Sequence, residues 1–173
     1  NITIELLKHN ELYLFQKFIR KNLSAKHIFT IDHTIFDWQH KETSAYFCMS
    51  AKQGGELIGT HGFIPLSHFD EALPKNQIFL ALWIVKEGIS IGLGFQLYKE
   101  ITKKFSPDFI GTTGFDQRTM DFHRWQRFNV GTMDHHFVLY PHVKKFQIAK
   151  VPIEQIPKKP IPLRSISFKK VNE

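Results

Sequence analysis

The spacing of apolar positions divides the chain into short strand-like runs and amphipathic helices. Ile2–Leu7 reads as a first strand. Over His9–Leu23 the apolar residues Leu12, Phe15, Phe18 and Ile19 recur at helical spacing, with Lys17, Arg20 and Lys21 on the other side. His27–His40 carries Ile28, Phe29, Ile31, Ile35, Phe36 and Trp38 and reads as a short helix, a loop and a second helical turn. Ser44–Lys52 alternates as a strand, with Tyr46, Cys48 and Ser50 on one face and Ala45, Phe47, Met49 and Ala51 on the other. Gly54-Gly55 is a hairpin signal and Glu56–Leu66 the partner strand. Gly59 and Gly62 within it mark a bulge or a close backbone approach.

After a loop over Ser67–Asn76, the stretch Gln77–Gly94 organises the rest. Ile78–Val85 is nearly continuously apolar and of strand length. A turn at Lys86-Glu87-Gly88 follows, then Ser90 and a run with Ile91, Phe95, Tyr98 and Ile101 on one helical face and Gly94 and Leu97 beside it. Gly92 and Gly94 both fall in the first helical turn, where each costs about 1 kcal/mol relative to alanine. Two readings account for them. The helix packs tightly on the sheet, or a phosphate approaches the unpaired N–H groups at the helix start. Ser106-Pro107-Asp108 ends the helix. Phe109–Phe115 reads as a strand, Asp116 as the N-cap of a helix over Gln117–Phe128, and Val130–Tyr140 and Phe146–Val151 as the last strands. The sum is an α/β (α+β) protein with a mixed twisted sheet of six to seven strands and about four flanking helices. The expected domain is 1–151, and 152–173 reads as a Pro/Lys-rich tail or linker.

Composition changes this picture in three places. The net charge of +7 is concentrated at the end: from Pro141 onward eight Lys/Arg face only Glu154 and Glu173, a net of +6. A body near neutrality argues against nucleic acid as a partner. The single Cys48 excludes an internal disulfide and reads as a buried, inert thiol. No apolar run is long enough for a membrane span and no signal peptide is visible, so a cytoplasmic protein is expected. The spacings of His61 and His68, and of His135 and His136, are not those of a zinc site, so no metal is expected.

The element order, with a glycine turn between the fourth strand and the following helix, resembles the GNAT acyltransferase family. Leu80–Val85 followed by Gly92-Leu93-Gly94 is similar to that family's pyrophosphate loop, R/Q-x-x-G-x-G/A. Trp125-Gln126-Arg127-Phe128-Asn129-Val130 is similar to its Tyr-x-x-x-Gly-Phe segment. The resemblance covers roughly Ile2–Val151. Ile89 stands where the family has Arg or Gln, and the turn before Gly92 is about a residue short, which leaves backbone N–H groups as the phosphate contacts. Asn129 replaces a glycine and tolerates a left-handed backbone. Trp125 replaces a tyrosine, and an indole cannot protonate a thiolate.

The resemblance implies transfer of an acyl group, usually acetyl, from coenzyme A to an amine. The cofactor-binding residues it implies are Ile91, Gly92, Leu93, Gly94, Phe95 and Trp125, with a backbone N–H of Ile84 or Val85 as donor to the thioester oxygen. His61 is the first candidate for general base, with His123 and Asp121 on the late helix and His135 in the sixth strand as alternatives. Asp37, Trp38 and Gln39 are expected to border the acceptor pocket, the alternative being that Phe36 and Trp38 plug the core, and Trp83 either lines the cleft or fills the sheet face. The expected acceptor is a small-molecule amine, within that class an amino sugar or nucleotide-linked amino sugar. Rival readings are a protein or peptide N-acyltransferase and a non-catalytic module that binds CoA or a partner chain. The oligomeric state stays open, a homodimer among the options.

Overall fold

The computed structural model describes residues 1–89 and 92–133. The chain divides into two compact units, Asn1–Thr119 and Met120–Glu173. The boundary expected at 151/152 lies outside the described residues.

In the first unit the described strands are β1 (Ile2–Lys8), β2 (Ala45–Gln53), β3 (Glu56–Pro65), β4 (Gln77–Val85) and β5 (Phe109–Gly111). They lie side by side in the order β1-β2-β3-β4-β5, antiparallel except for the parallel pair β4–β5. The described α-helices are α1 (Leu12–Asn22), α2 (Ile28–Ile31), α3 (His33–His40), α4 (Leu93–Phe105) and α5 (Gln117–Trp125), the last crossing into the second unit. The strand expected over 130–140 falls outside the described residues except for Val130–Met133, which form no strand, and that over 146–151 falls wholly outside.

Local chemistry sets the element ends. α1 begins three residues later than its periodicity suggests, because His9–Glu11 form a 3₁₀ turn. There Glu11 accepts from the Lys8 N–H at 3.0 Å and also binds the ammonium of Lys52. Lys52 in turn reaches Glu5 at 2.8 Å, tying β2 to β1 and to the entry of α1. The Glu5 carboxyl is held below its usual range by that Lys52 hydrogen bond. Asp32 caps α3 by accepting from the Thr34 N–H at 2.9 Å. Asp116 accepts from the Thr119 N–H at 2.8 Å, as its place before α5 predicts. α5 stops at Trp125 rather than Phe128, and the left-handed residue after it is Arg127 at φ +64°, not Asn129. β5 keeps three of the seven residues expected of it.

One face of the sheet carries α1–α3. Phe15, Phe18, Ile19, Phe29, Phe36 and Tyr46 form its core, with Phe15 and Phe36 stacked at 4.3 Å. Against Phe36 lies His40, fully buried, with its ring 4.8 Å away. Its Nδ1 lies 3.2 Å from the carbonyl oxygens of Phe47 and Phe63, so Nδ1 carries the proton and donates to them. Gly62 is the residue this ring requires: a Cβ there would stand 3.2 Å from His40 Cε1. The other face of the sheet carries α4, which packs across β2, β3 and β4 through Leu93, Leu97, Tyr98 and Ile101.

Burial pushes the His40 imidazole down to about 4 from 6.5, the two carbonyl hydrogen bonds offsetting part of that cost. Between those values the unfolded chain holds a proton that the folded chain refuses. Stability therefore falls as pH drops from about 6.5 toward about 4. The full loss is on the order of 3 kcal/mol. Urea midpoints measured across that window should show the slope, and His40→Gln should flatten it.

Candidate active site

The site is built where β4 leaves its neighbour. β4 pairs with β5 only through Gln77–Phe79 against Phe109–Gly111. From Leu80 onward the two strands part, and the Thr112 hydroxyl donates to the Leu80 carbonyl at 3.3 Å just past the last pair. Opposite, β3 faces β4 with a shift of register: His61 opposes Trp83, but Phe63 opposes Leu80. One extra residue on β4, at Ala81–Leu82, makes a bulge, which bends the strand where it separates from β5.

Ladder alternation then sorts the N–H groups of β4. Lys86 N–H donates to the Ile58 carbonyl at 2.9 Å, directly across the ladder. Counting back by two assigns the Ile84 N–H to Thr60 on β3, and turns the Val85 N–H to the opposite edge, the side of β5. Of the two donors expected for an acyl oxygen, Ile84 is therefore used by the sheet and Val85 faces the opening.

Beyond β4 the turn contains Gly88 at φ +77°, a backbone only glycine adopts without strain. Ser90 and Ile91, the latter an expected cofactor contact, lie outside the described residues. Gly92 is exposed and caps α4 without a side-chain hydrogen bond. The Gln96 amide donates to the Gly92 carbonyl at 2.9 Å. The amides of Leu93 and Gly94, in the turn that also holds Phe95, precede it and find no acceptor within the helix. With the positive end of the helix dipole, this turn has the chemistry of an anion cradle.

The two glycines of that turn have different reasons. Gly94 is buried, and a Cβ there would stand 3.1 Å from Cζ2 and Nε1 of Trp83. It is a packing glycine, as the tight-packing reading has it. Gly92 lies on the surface.

Trp83 thus fills the space between sheet and α4. Its indole stacks on the His61 ring at 4.6 Å and 2°. His61 is only 1% exposed, in the middle of the sheet on the α4 face. A base must come within hydrogen-bond reach of the proton it takes. So placed, the His61 ring packs against Trp83.

The other expected acceptor residues lie on α3, across the sheet from Trp83. Asp37 is engaged by the Tyr46 hydroxyl at 2.7 Å and by Lys41 at 3.3 Å, so it serves the fold. Burial and this carboxylate push the Tyr46 phenol up. Trp38 is exposed and meets the exposed Phe69 at 4.8 Å, while its carbonyl binds His68 Nε2 at 2.9 Å. Gln39 is half-buried beside them in sequence. Phe69 was not visible as a partner of Trp38, because it lies 31 residues later in a segment with loop composition.

In the second unit, His123 and Trp125 point apart, two residues along one helix. His123 is buried between the rings of Phe122 and Phe128, each 5.4 Å away, and burial lowers its basicity. Trp125 is 67% exposed.

By sequence the chain matches no family model and no curated protein. By structure it resembles acetyltransferases. An aminoglycoside acetyltransferase from an uncultured soil metagenomic sample, solved with sisomicin, superposes with TM-score 0.56 at 17% identity over 80% of this chain and 95% of that one. A ribosomal-protein-alanine N-acetyltransferase from Brucella melitensis biovar Abortus 2308 gives 0.52 at 14%, over 80% and 98%. A GNAT family N-acetyltransferase from Escherichia coli, in complex with CoA, gives 0.51 at 18%, over 73% and 67%. At these identities the likeness is one of fold: the chain has the GNAT acyltransferase fold.

Gly94→Ala should force the indole of Trp83 aside and cost about 1–3 kcal/mol. In a Trp83→Phe background the same change should cost less, a coupling that a double-mutant cycle on urea unfolding would read.

Proposed function

We propose that the protein is a CoA-dependent N-acyltransferase that carries an acyl group, in the first instance acetyl, from acyl-CoA to the primary amine of a small molecule. The observation that carries this reading is the parting of β4 from β5 immediately ahead of a helix start with no side-chain cap. An extended thioester arm can lie along the freed edge of β4, with its pyrophosphate at Gly92, Leu93 and Gly94 and its acyl oxygen toward the Val85 N–H. The structural neighbours solved with CoA and with sisomicin support both halves of the reading.

Few side chains are needed. The neutral amine nitrogen attacks the thioester carbonyl and forms the C–N bond. The Val85 N–H stabilises the oxygen as it gains charge. The C–S bond breaks, and the thiolate leaves without an acid, since a thiol pKa near 8.5 makes it a competent leaving group. The nitrogen gives its proton to water. This fits an indole at Trp125 and buried rings at His61 and His123. For the acceptor we favour an amino sugar, nucleotide-linked or free. The exposed pair Trp38–Phe69 offers aromatic faces of the kind on which sugar rings stack.

Isothermal titration with acetyl-CoA should show binding that Gly92→Glu abolishes, because the new carboxylate would meet the pyrophosphate. Binding that survives the change would remove the cradle from Gly92. Thiol release assayed over a panel of amino sugars, amino acids and peptides then tests turnover. Release with peptides alone would favour a protein substrate, and binding without release on any amine would make the chain a CoA-binding module.

A further inference from the structure

A second concavity lies on the face of the sheet away from α4. It is a small open cleft of about 120 Å³ between the second half of α1 and the tip of the β2–β3 hairpin. Leu14, Phe18 and Leu57 give it an apolar floor, and Lys17, Lys21 and Lys86 line it with positive charge. Leu57 reaches this face through a bulge in β3. Ala51 opposes Gly59, the next pair is Lys52 with Leu57, and the extra residue Ile58 turns the strand end over. Gly59, before the bulge, faces Leu93 and Leu97 of α4. The cleft and the α4 cradle are therefore on opposite faces.

The charges of the cleft do not balance internally. Its one carboxylate, Glu56, meets Lys86 at 3.5 Å. Lys17 and Lys21 are one helical turn apart, where like charges repel. Among the described residues neither lies within ion-pair distance of a carboxylate, and α1 contains no acidic residue. Arg20, between them in sequence, is engaged elsewhere, with the Thr30 carbonyl at 3.3 Å. The carbonyl end of α1 is also occupied. The Phe18 oxygen accepts from the Asn22 amide at 2.9 Å, and the Ile19 oxygen from the N–H groups of Leu23 and Ser24 at 2.9 and 3.1 Å. Three ammonium groups and one carboxylate leave a charge of +2 over an apolar floor.

We propose that this cleft binds a phosphate monoester of a small organic group. A phosphate monoester carries about −1.5 to −2 charges near neutral pH, which matches the unbalanced pair of lysines. A single carboxylate would leave one of them uncompensated. Lysine acts as a point charge on phosphate, with no demand for the planar geometry that arginine imposes. The apolar floor takes the organic part of the ligand. The site is separate from the acyl-CoA cleft and does not depend on acyl transfer.

The test is a titration of phenyl phosphate, with benzoate as the singly charged comparator, at fixed ionic strength. Wild-type protein should bind phenyl phosphate at least about tenfold more tightly than benzoate. The double variant Lys17→Ala/Lys21→Ala, both positions on the surface, should lose about tenfold or more in affinity with an unchanged circular dichroism spectrum. Gly92→Glu should leave the affinity unchanged. Equal affinity in the double variant, a loss confined to Gly92→Glu, or no preference over benzoate would each overturn the assignment.

Discussion

Parallel strands are joined by evenly spaced, slanted hydrogen bonds, and β4 and β5 sustain them for only three residues of each strand. What separates them is built into β4 itself. The bulge at Ala81–Leu82 inserts a residue that β3 does not match, so the strand bends just where β5 ceases to follow. From that departure come the edge of β4 that carries the Val85 N–H on the side away from β3 and the position at which the chain turns through Gly88 into α4. Backbone polar groups freed in this way must be met by something other than the sheet. That requirement is the physical content of the proposed cofactor cleft.

The two faces of the sheet solve different packing problems. On the α1–α3 side a cluster of aromatic rings encloses one polar ring, His40, whose proton is committed to two strand carbonyls. Gly62 leaves the space for it. On the α4 side an indole, Trp83, fills the gap between strand and helix, and Gly94 leaves the space for that. In both places a large ring is admitted by a glycine opposite, and the ring fixes how closely the layers approach. Trp83 matters more for the site, because it lies under the turn whose amides would receive phosphate.

Much of the fold was legible in the chain, since periodicities of 3.6 and 2 report which face is buried. α1, β2, the β2–β3 hairpin and the strand–turn–helix around Gly88 all stand where the apolar pattern puts them. Element ends were less legible where a distant side chain sets them. Lys52 holds Glu11 and keeps His9–Glu11 out of α1, a contact that no local pattern carries. The site was half legible. Gly92 and Gly94 look alike in sequence, and only the position of Trp83 tells the packing glycine from the exposed one. Ile84 and Val85 are equivalent as residues, and only the register separates them. His40 and Asp37 carry chemistry-bearing side chains that the fold itself consumes, which spacing along the chain cannot show.

Every described strand pairs with its neighbours in sequence, in the order β1 to β5. Among the described strands, none must wait for a later one before it can be inserted between existing partners. Chains fold from the N-terminal side as they are synthesised, and contacts between distant segments are the slow ones to form. Here the sheet can lengthen one strand at a time behind the ribosome. β5, the last and shortest of the described strands, reaches the cleft only after the surface it borders is already in place.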